Sequence, residues 1–192
     1  MPWRNGGGTT SEIAIEPGPG GRFRHRLSIA EVTASGPFSD FAGCDRHILL
    51  LEGRGFTLRV EGDAPRVVDR PLEPHAFDGG RPARCELHDG PVRDLNLMVD
   101  RATARGSLGV ARLAAGERRE LPPAATVLAY LVAGRASAGD LHLVPGDTLR
   151  ADAGPGDRVL VESREGAVLV VAAIDPAAPT SERPAADAAG RR

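Results

Sequence analysis

The chain has 192 residues and a formal net charge of -2, from 26 acidic and 24 cationic side chains, every cation being arginine. Such a balance gives no electrostatic hold on nucleic acid or an anionic membrane, which excludes both as expected partners. With 24 glycines, 16 prolines and only 4% aromatic residues, long amphipathic helices are excluded as the main architecture.

In chain order, short alternating segments between Gly-Pro, Glu-Gly and Asp-Gly breakers predict strands over 10–15, 24–32, 47–52, 56–60, 66–69, 75–78, 83–87 and 94–99. A second series is predicted over 108–114, 126–133, 138–143, 148–151, 158–162 and 167–173, after a linker or short helical turn at 100–106. The series echo each other. Residues 49–55 resemble 129–135, residues 71–77 resemble 141–147, and each series closes on an apolar strand. The expected fold is all-β, with two jelly-roll-like sandwich lobes over 1–104 and 105–175. From 176 to 192 no apolar period remains, and a disordered tail is expected.

Cys44 and Cys85 form no CxxC pair or disulfide framework, so two free thiols are expected. No apolar run approaches the ~20 residues that span a bilayer, and the N-terminus lacks an apolar signal core, so a cytoplasmic protein is expected. His25, His47, His75, His88 and His142 include no His-x-His pair, and no metal or other cofactor is expected. No Gly-x-Ser-x-Gly elbow marks a nucleophile. The Gly6-Gly7-Gly8 run lacks the ending of a phosphate-binding loop, though consecutive glycines let backbone amides approach a ligand.

Two strands carry polar faces. Strand 24–32 places Arg26, Ser28 and Ala30 on one face, and strand 94–99 places Asp94, Asn96 and Met98 on one face. An Asp and an Asn within an apolar strand either face solvent or need buried partners.

Five motifs in register, Pro2-Trp3-Arg4-Asn5-Gly6-Gly7-Gly8, Arg26-Leu27-Ser28, Gly36-Pro37-Phe38-Ser39, Gly43-Cys44-Asp45-Arg46 and Gly90-Pro91-Val92-Arg93-Asp94-Leu95-Asn96-Leu97-Met98, resemble the HutD/Ves family. The resemblance implies a bicupin linked to bacterial histidine utilisation, and a strand upstream of the Pro-Trp motif. It also implies a pocket in the first lobe built from Arg4, Asn5, Gly6, Gly7, Arg26, Ser28, Asp45, Arg46, Asp94 and Asn96. The implied ligand is a small carboxylate such as N-formylglutamate, gripped by guanidinium forks with Asn96 meeting its formyl or amide group. Asp45 would hold an arginine in place. No catalytic residue is assigned, and the expected function is non-enzymatic binding that senses or limits pathway flux. Two alternatives stand beside it. One is a metal-independent enzyme using Glu31, His47 or His75 as acid or base. The other is a stress-related Ves-like protein acting through a protein partner. A homodimer through sheet edges is a further expectation.

Overall fold

Alternation of side chains along strands, which sends successive residues to opposite faces, builds every layer of this molecule. The structure, a computed structural model, describes residues 1–3, 6–154 and 157–178. Its first half contains β1 (Gly8–Pro17), β2 (Phe23–Val32), β3 (Gly36–Pro37), β4 (Cys44–Glu52), β5 (Phe56–Val60), β6 (Arg66–Val68), β7 (His75–Asp78), β8 (Ala83–Leu87) and β9 (Val92–Asp100). The second half contains β10 (Ala104–Leu113), β11 (Arg118–Glu120), β12 (Thr126–Gly134), β13 (Ala136–Ala138), β14 (Leu141–Leu143), β15 (Thr148–Asp152), β16 (Leu160–Glu162) and β17 (Ala167–Pro176).

Four antiparallel sheets result, in the orders β1-β2-β9-β4-β7, β3-β8-β5-β6, β10-β17-β12-β15 and β11-β16-β13-β14. The first two face each other around Ile48, Leu50, Phe56, Leu58, Val68 and Val92, and the last two around Leu121, Val127, Leu131, Val161 and Leu169. A third apolar cluster joins the lobes. Leu27, Leu49, Leu95 and Leu97, from the other face of the first large sheet, pack with Leu128, Tyr130, Val170 and Ile174 of its counterpart.

The second half repeats the first element for element, with β10 to β17 standing where β2 to β9 stand in both sheet orders. Even an irregularity recurs: pairing slips at Leu51 between β4 and β9, and at Val132 between β12 and β17. The chain then turns through Gly53 and Gly134, at φ 105° and 79°. A side chain at either would strike backbone, of Pro91 or of Gly166, so glycine is required there. Among the described residues β1 has no counterpart.

Several expectations change in detail. The echo of 49–55 in 129–135 is one residue out of step, because the shared bulge matches Leu50 with Leu131. The second echo lies further along, with Phe77 and Ala151 occupying one place through their partners Arg46 and Val127. The segment 100–106 is neither linker nor helix: a turn at Arg101–Thr103 joins β9 directly to β10. The single strand expected at 138–143 is parts of two, β13 and β14, joined by a turn through Gly139 and Asp140. The tail expected from 176 starts later, since Pro176 still belongs to β17, and from 179 it lies outside the described residues. No helix among the described residues is long and apolar enough to cross a membrane.

Candidate functional site

The register of the first large sheet decides which polar side chains meet. On the face turned into the first lobe, Asp94 lies between Ala30 and Leu50, Asn96 between Ser28 and Ile48, and Met98 between Arg26 and Arg46. These rows floor a cavity of about 420 Å³. Its floor holds Arg26, Ser28, Arg46, Asn96 and Met98, and its walls are Trp3 and Thr10 from the N-terminal segment and Pro37, Phe38, Ser39 and Phe41 from the loop before β4. Trp3 donates from Nε1 to Thr10 Oγ1 at 2.7 Å, which ties the Trp3 side chain to β1 in the cavity wall.

Arg46 is the centre of the site. Its side chain is buried, and its guanidinium carbon lies 4.9 Å from the ring centre of Phe77, 5.1 Å from that of Phe38 and 5.7 Å from that of Phe41. Aromatic faces replace part of the lost hydration of the cation. Its Nη2 donates to Asn96 Oδ1 at 3.0 Å and Nη1 to the Ser39 carbonyl at 3.4 Å, while Nε has no hydrogen-bond partner among the described residues. Burial pulls its pKa down to about 10, with Asp94 acting in the opposite sense, so the cation persists at neutral pH.

Behind Asn96 stands Asp94, wholly buried. Asn96 Nδ2 donates to Asp94 Oδ1, and Asp94 Oδ2 has no partner among the described residues. Burial pushes the Asp94 carboxyl up to about 7, against the pull of Arg46 and the Asn96 hydrogen bond. The chain Asp94–Asn96–Arg46 fixes the Asn96 amide, with its oxygen toward the guanidinium and its nitrogen toward the carboxyl. Such an array presents directional donors beside a fixed cation, the chemistry that recognises a carboxylate.

The structure thus gathers Arg26, Ser28, Arg46 and Asn96 on the cavity and sets Asp94 beneath it. Asp45 points elsewhere, pairing with Arg101 at 2.7 Å, so the arginine it holds is not one lining the cavity. Gly6 and Gly7 shape the turn from Trp3 to β1: Gly6 N–H donates to the Trp3 carbonyl, and the Gly7 carbonyl accepts from Thr33 and Ala34. Arg4 and Asn5 lie outside the described residues. Of the acid–base candidates, Glu31 is exposed, His75 is half-buried on β7, and His47 faces the other lobe beside the Gly106 backbone. None of the three lines the cavity. Among the described residues no cluster of three or more His, Cys, Asp or Glu side chains could hold a metal. Cys44 and Cys85 are buried free thiols, and burial pushes both upward, Cys85 to about 12.

Sequence reasoning missed Trp3, Phe38, Phe41 and Phe77. The first two lie in motifs already quoted, but only the fold brings their rings to Arg46 and Thr10.

The repeat supplies a comparison within the same chain. At the places of Arg26, Ser28, Arg46, Asp94 and Asn96, the second lobe carries Ser107, Gly109, Val127, Leu169 and Val171. The second lobe keeps an open cavity of about 480 Å³ there, lined largely by apolar and small residues. The fold therefore closes without the polar set, and its presence in the first lobe demands a reason other than folding.

Two repeated jelly-roll lobes packed sheet to sheet define the bicupin class. The same fold occurs in a cupin 2 barrel protein from Leptotrichia buccalis, at a TM-score of 0.60 over 87% of this chain and 88% of that one with 8% identity. Within that class the chain belongs to the HutD family, whose model matches residues 1–170. HutD from Pseudomonas fluorescens SBW25 has a similar structure, with a TM-score of 0.78 and 35% identity over 93% of this chain and 94% of that one. A Pseudomonas putida protein described as an uncharacterized 21.2 kDa protein in the hutC 3' region is 46% identical over 51% of this chain and 52% of its own length. Protein Ves from Cronobacter sakazakii is 40% identical over 57% of this chain and 60% of its own length. The chain thus spans about half to three-fifths of these curated relatives.

Proposed function

We propose that this chain is a non-enzymatic binding protein of histidine utilisation that takes N-formylglutamate or a related small carboxylate in the first-lobe cavity and so senses or limits pathway flux. The observation that carries this reading is the contrast between the lobes. Equivalent positions hold Arg46, Asp94 and Asn96 in one and Val127, Leu169 and Val171 in the other. Burying that polar set costs desolvation free energy that the second lobe avoids. A ligand carboxylate facing Arg46, and a carbonyl or amide facing Asn96, would engage groups already held in place, so little ordering cost remains on binding. The histidine-utilisation setting is supported by the hutC-region relative.

The test uses Trp3, the chain's single tryptophan, which lines the cavity. Titration with N-formylglutamate should change its fluorescence and raise the unfolding midpoint, with the compound recovered unchanged. At 100 times the dissociation constant the added stability should be about 2.7 kcal/mol. No fluorescence change and no midpoint shift with N-formylglutamate, urocanate, histidine, glutamate or formate would refute the reading.

A further inference from the structure

Arg26 is the second guanidinium on the cavity and differs from Arg46 in one respect: it is already neutralised. Its Nε lies 2.9 Å from Glu12 Oε2, with the Arg26 side chain 13% exposed and that of Glu12 38% exposed. Glu12 lies on β1 opposite Ser28, two residues beyond the cavity-lining Thr10 and hence on the same face. Among the described residues Arg46 has no carboxylate in direct contact, and it reaches Asp94 through Asn96.

The two arginines flank Met98 in register, one strand to either side of β9. Neighbouring strands lie about 4.8 Å apart, so the two backbones are roughly 10 Å apart across the cavity floor. They feel each other, since Arg26 is among the charges that depress the Arg46 pKa. The partly exposed Glu12 carboxylate, paired with Arg26, offsets part of that repulsion. In the second lobe both partners are missing together: Ser107 replaces Arg26, and among the described residues no strand stands in the place of β1.

From this pairing we infer that Glu12 is a built-in stand-in for a ligand carboxylate, so that the cavity prefers dicarboxylates, whose second carboxylate takes Arg26 from Glu12. The inference rests on the binding reading above and adds its selectivity. Arg46 with Asn96 receives one end of the ligand. Arg26 receives the other end only when Glu12 turns outward to solvent, where it is already partly exposed. Monocarboxylates gain nothing from that exchange.

The experiment compares glutarate with butyrate, read by Trp3 fluorescence, in the wild-type chain, Glu12→Gln and Arg26→Gln. Glu12→Gln should bind glutarate about threefold to fivefold more tightly, as expected for removing one competing exposed ion pair, and butyrate within about twofold of wild type. Arg26→Gln should erase the preference for glutarate over butyrate. Both changes lie at a partly exposed margin, and unfolding midpoints near that of wild type will verify folding. Unchanged or weaker glutarate binding in Glu12→Gln, or an equal gain for both compounds, overturns the inference while leaving the binding reading standing if N-formylglutamate still binds. A wild-type chain with no preference for glutarate over butyrate likewise overturns it, and one that binds neither of these nor any compound of the earlier titration brings both readings down together.

Discussion

Asp94 concentrates the energetics of the site in one carboxyl. Its pKa in the fold is about 7 against an ordinary 3.8, because burial disfavours the anion more than Arg46 favours it. The folded state therefore holds a proton that the unfolded chain releases. This stabilisation is full below about 3.8 and is lost as pH rises through about 7. Asp94→Asn should flatten that slope, by at most about 1.4 kcal/mol per pH unit, in unfolding midpoints measured from about pH 5 to about pH 8. A slope equal to that of wild type would refute the assignment. Arg46 yields a paired prediction. Arg46→Met alone strands Asp94 and Asn96 and should cost about 3–5 kcal/mol. Combined with Asp94→Leu and Asn96→Val, the residues found at those places in the second lobe, the change should be neutral or stabilising by up to about 4 kcal/mol while binding is lost. Denaturant unfolding and Trp3 titration check both halves. At this scale Asp94, Asn96 and Met98 were legible as one strand face, since side-chain alternation is local. Whether that face met water or a cavity was not legible, because the answer lies with Phe38, Phe41 and Trp3 on other segments.

Among the elements, long strands with clear alternation were readable, and β5, β7 and β8 have the bounds that composition predicts. β3 and β11, with two and three residues, are too short to display a period and exist only because β8 and β16 offer hydrogen-bonding edges. The run 138–143 hid a turn, since Gly139 takes φ 56° and reverses the chain between two three-residue strands. The glycines after the two bulges make the repeat testable. Gly134→Ala places a methyl against the Gly166 carbonyl at positive φ and should cost about 2 kcal/mol or more. Gly109 has open space around its would-be side chain. Gly109→Ala should be neutral or stabilise by up to about 1 kcal/mol. Equal costs at the two positions in urea unfolding would contradict this account of the bulge.

At the scale of the whole molecule, the lobes are joined by the cluster of Leu27, Leu49, Leu97, Leu128, Tyr130 and Ile174 and by an ion triad at its margin. Arg150 of the second lobe reaches Glu16 of the first at 3.0 Å and Asp152 of its own at 2.9 Å. Both pairs are partly exposed and contribute little, so Arg150→Met should cost less than about 1 kcal/mol. Leu97→Ala should cost about 2–5 kcal/mol. Beneath the triad His25 is buried, with neither ring nitrogen paired among the described residues. Burial lowers its pKa, opposed by Glu16 and Asp152 and reinforced by Arg150 and Arg24. The unfolded chain thus binds the proton first, and stability falls as pH drops below about 6.5. His25→Leu should remove that acid-side loss, the opposite sign from Asp94→Asn, in unfolding midpoints taken across the same range. An unchanged acid-side slope would show that His25 does not set it.

Alternation and turn residues determined by themselves that this is an all-β protein, because those signals are local and survive without the fold. The echo between halves pointed to two related lobes but with the matching residues misplaced. Motif resemblance pointed to the first lobe. Only the tertiary structure decided that Arg46 lies among three aromatic rings, that Asp94 is sealed beneath Asn96, that Asp45 holds Arg101, and that Glu12 occupies Arg26. Asp94 and Asn96 are neighbours on one strand face, but the burial of that face, like the pairs Arg46–Phe77, Asp45–Arg101 and Glu12–Arg26, follows from strand register and from which face each sheet buries. No local periodicity encodes either.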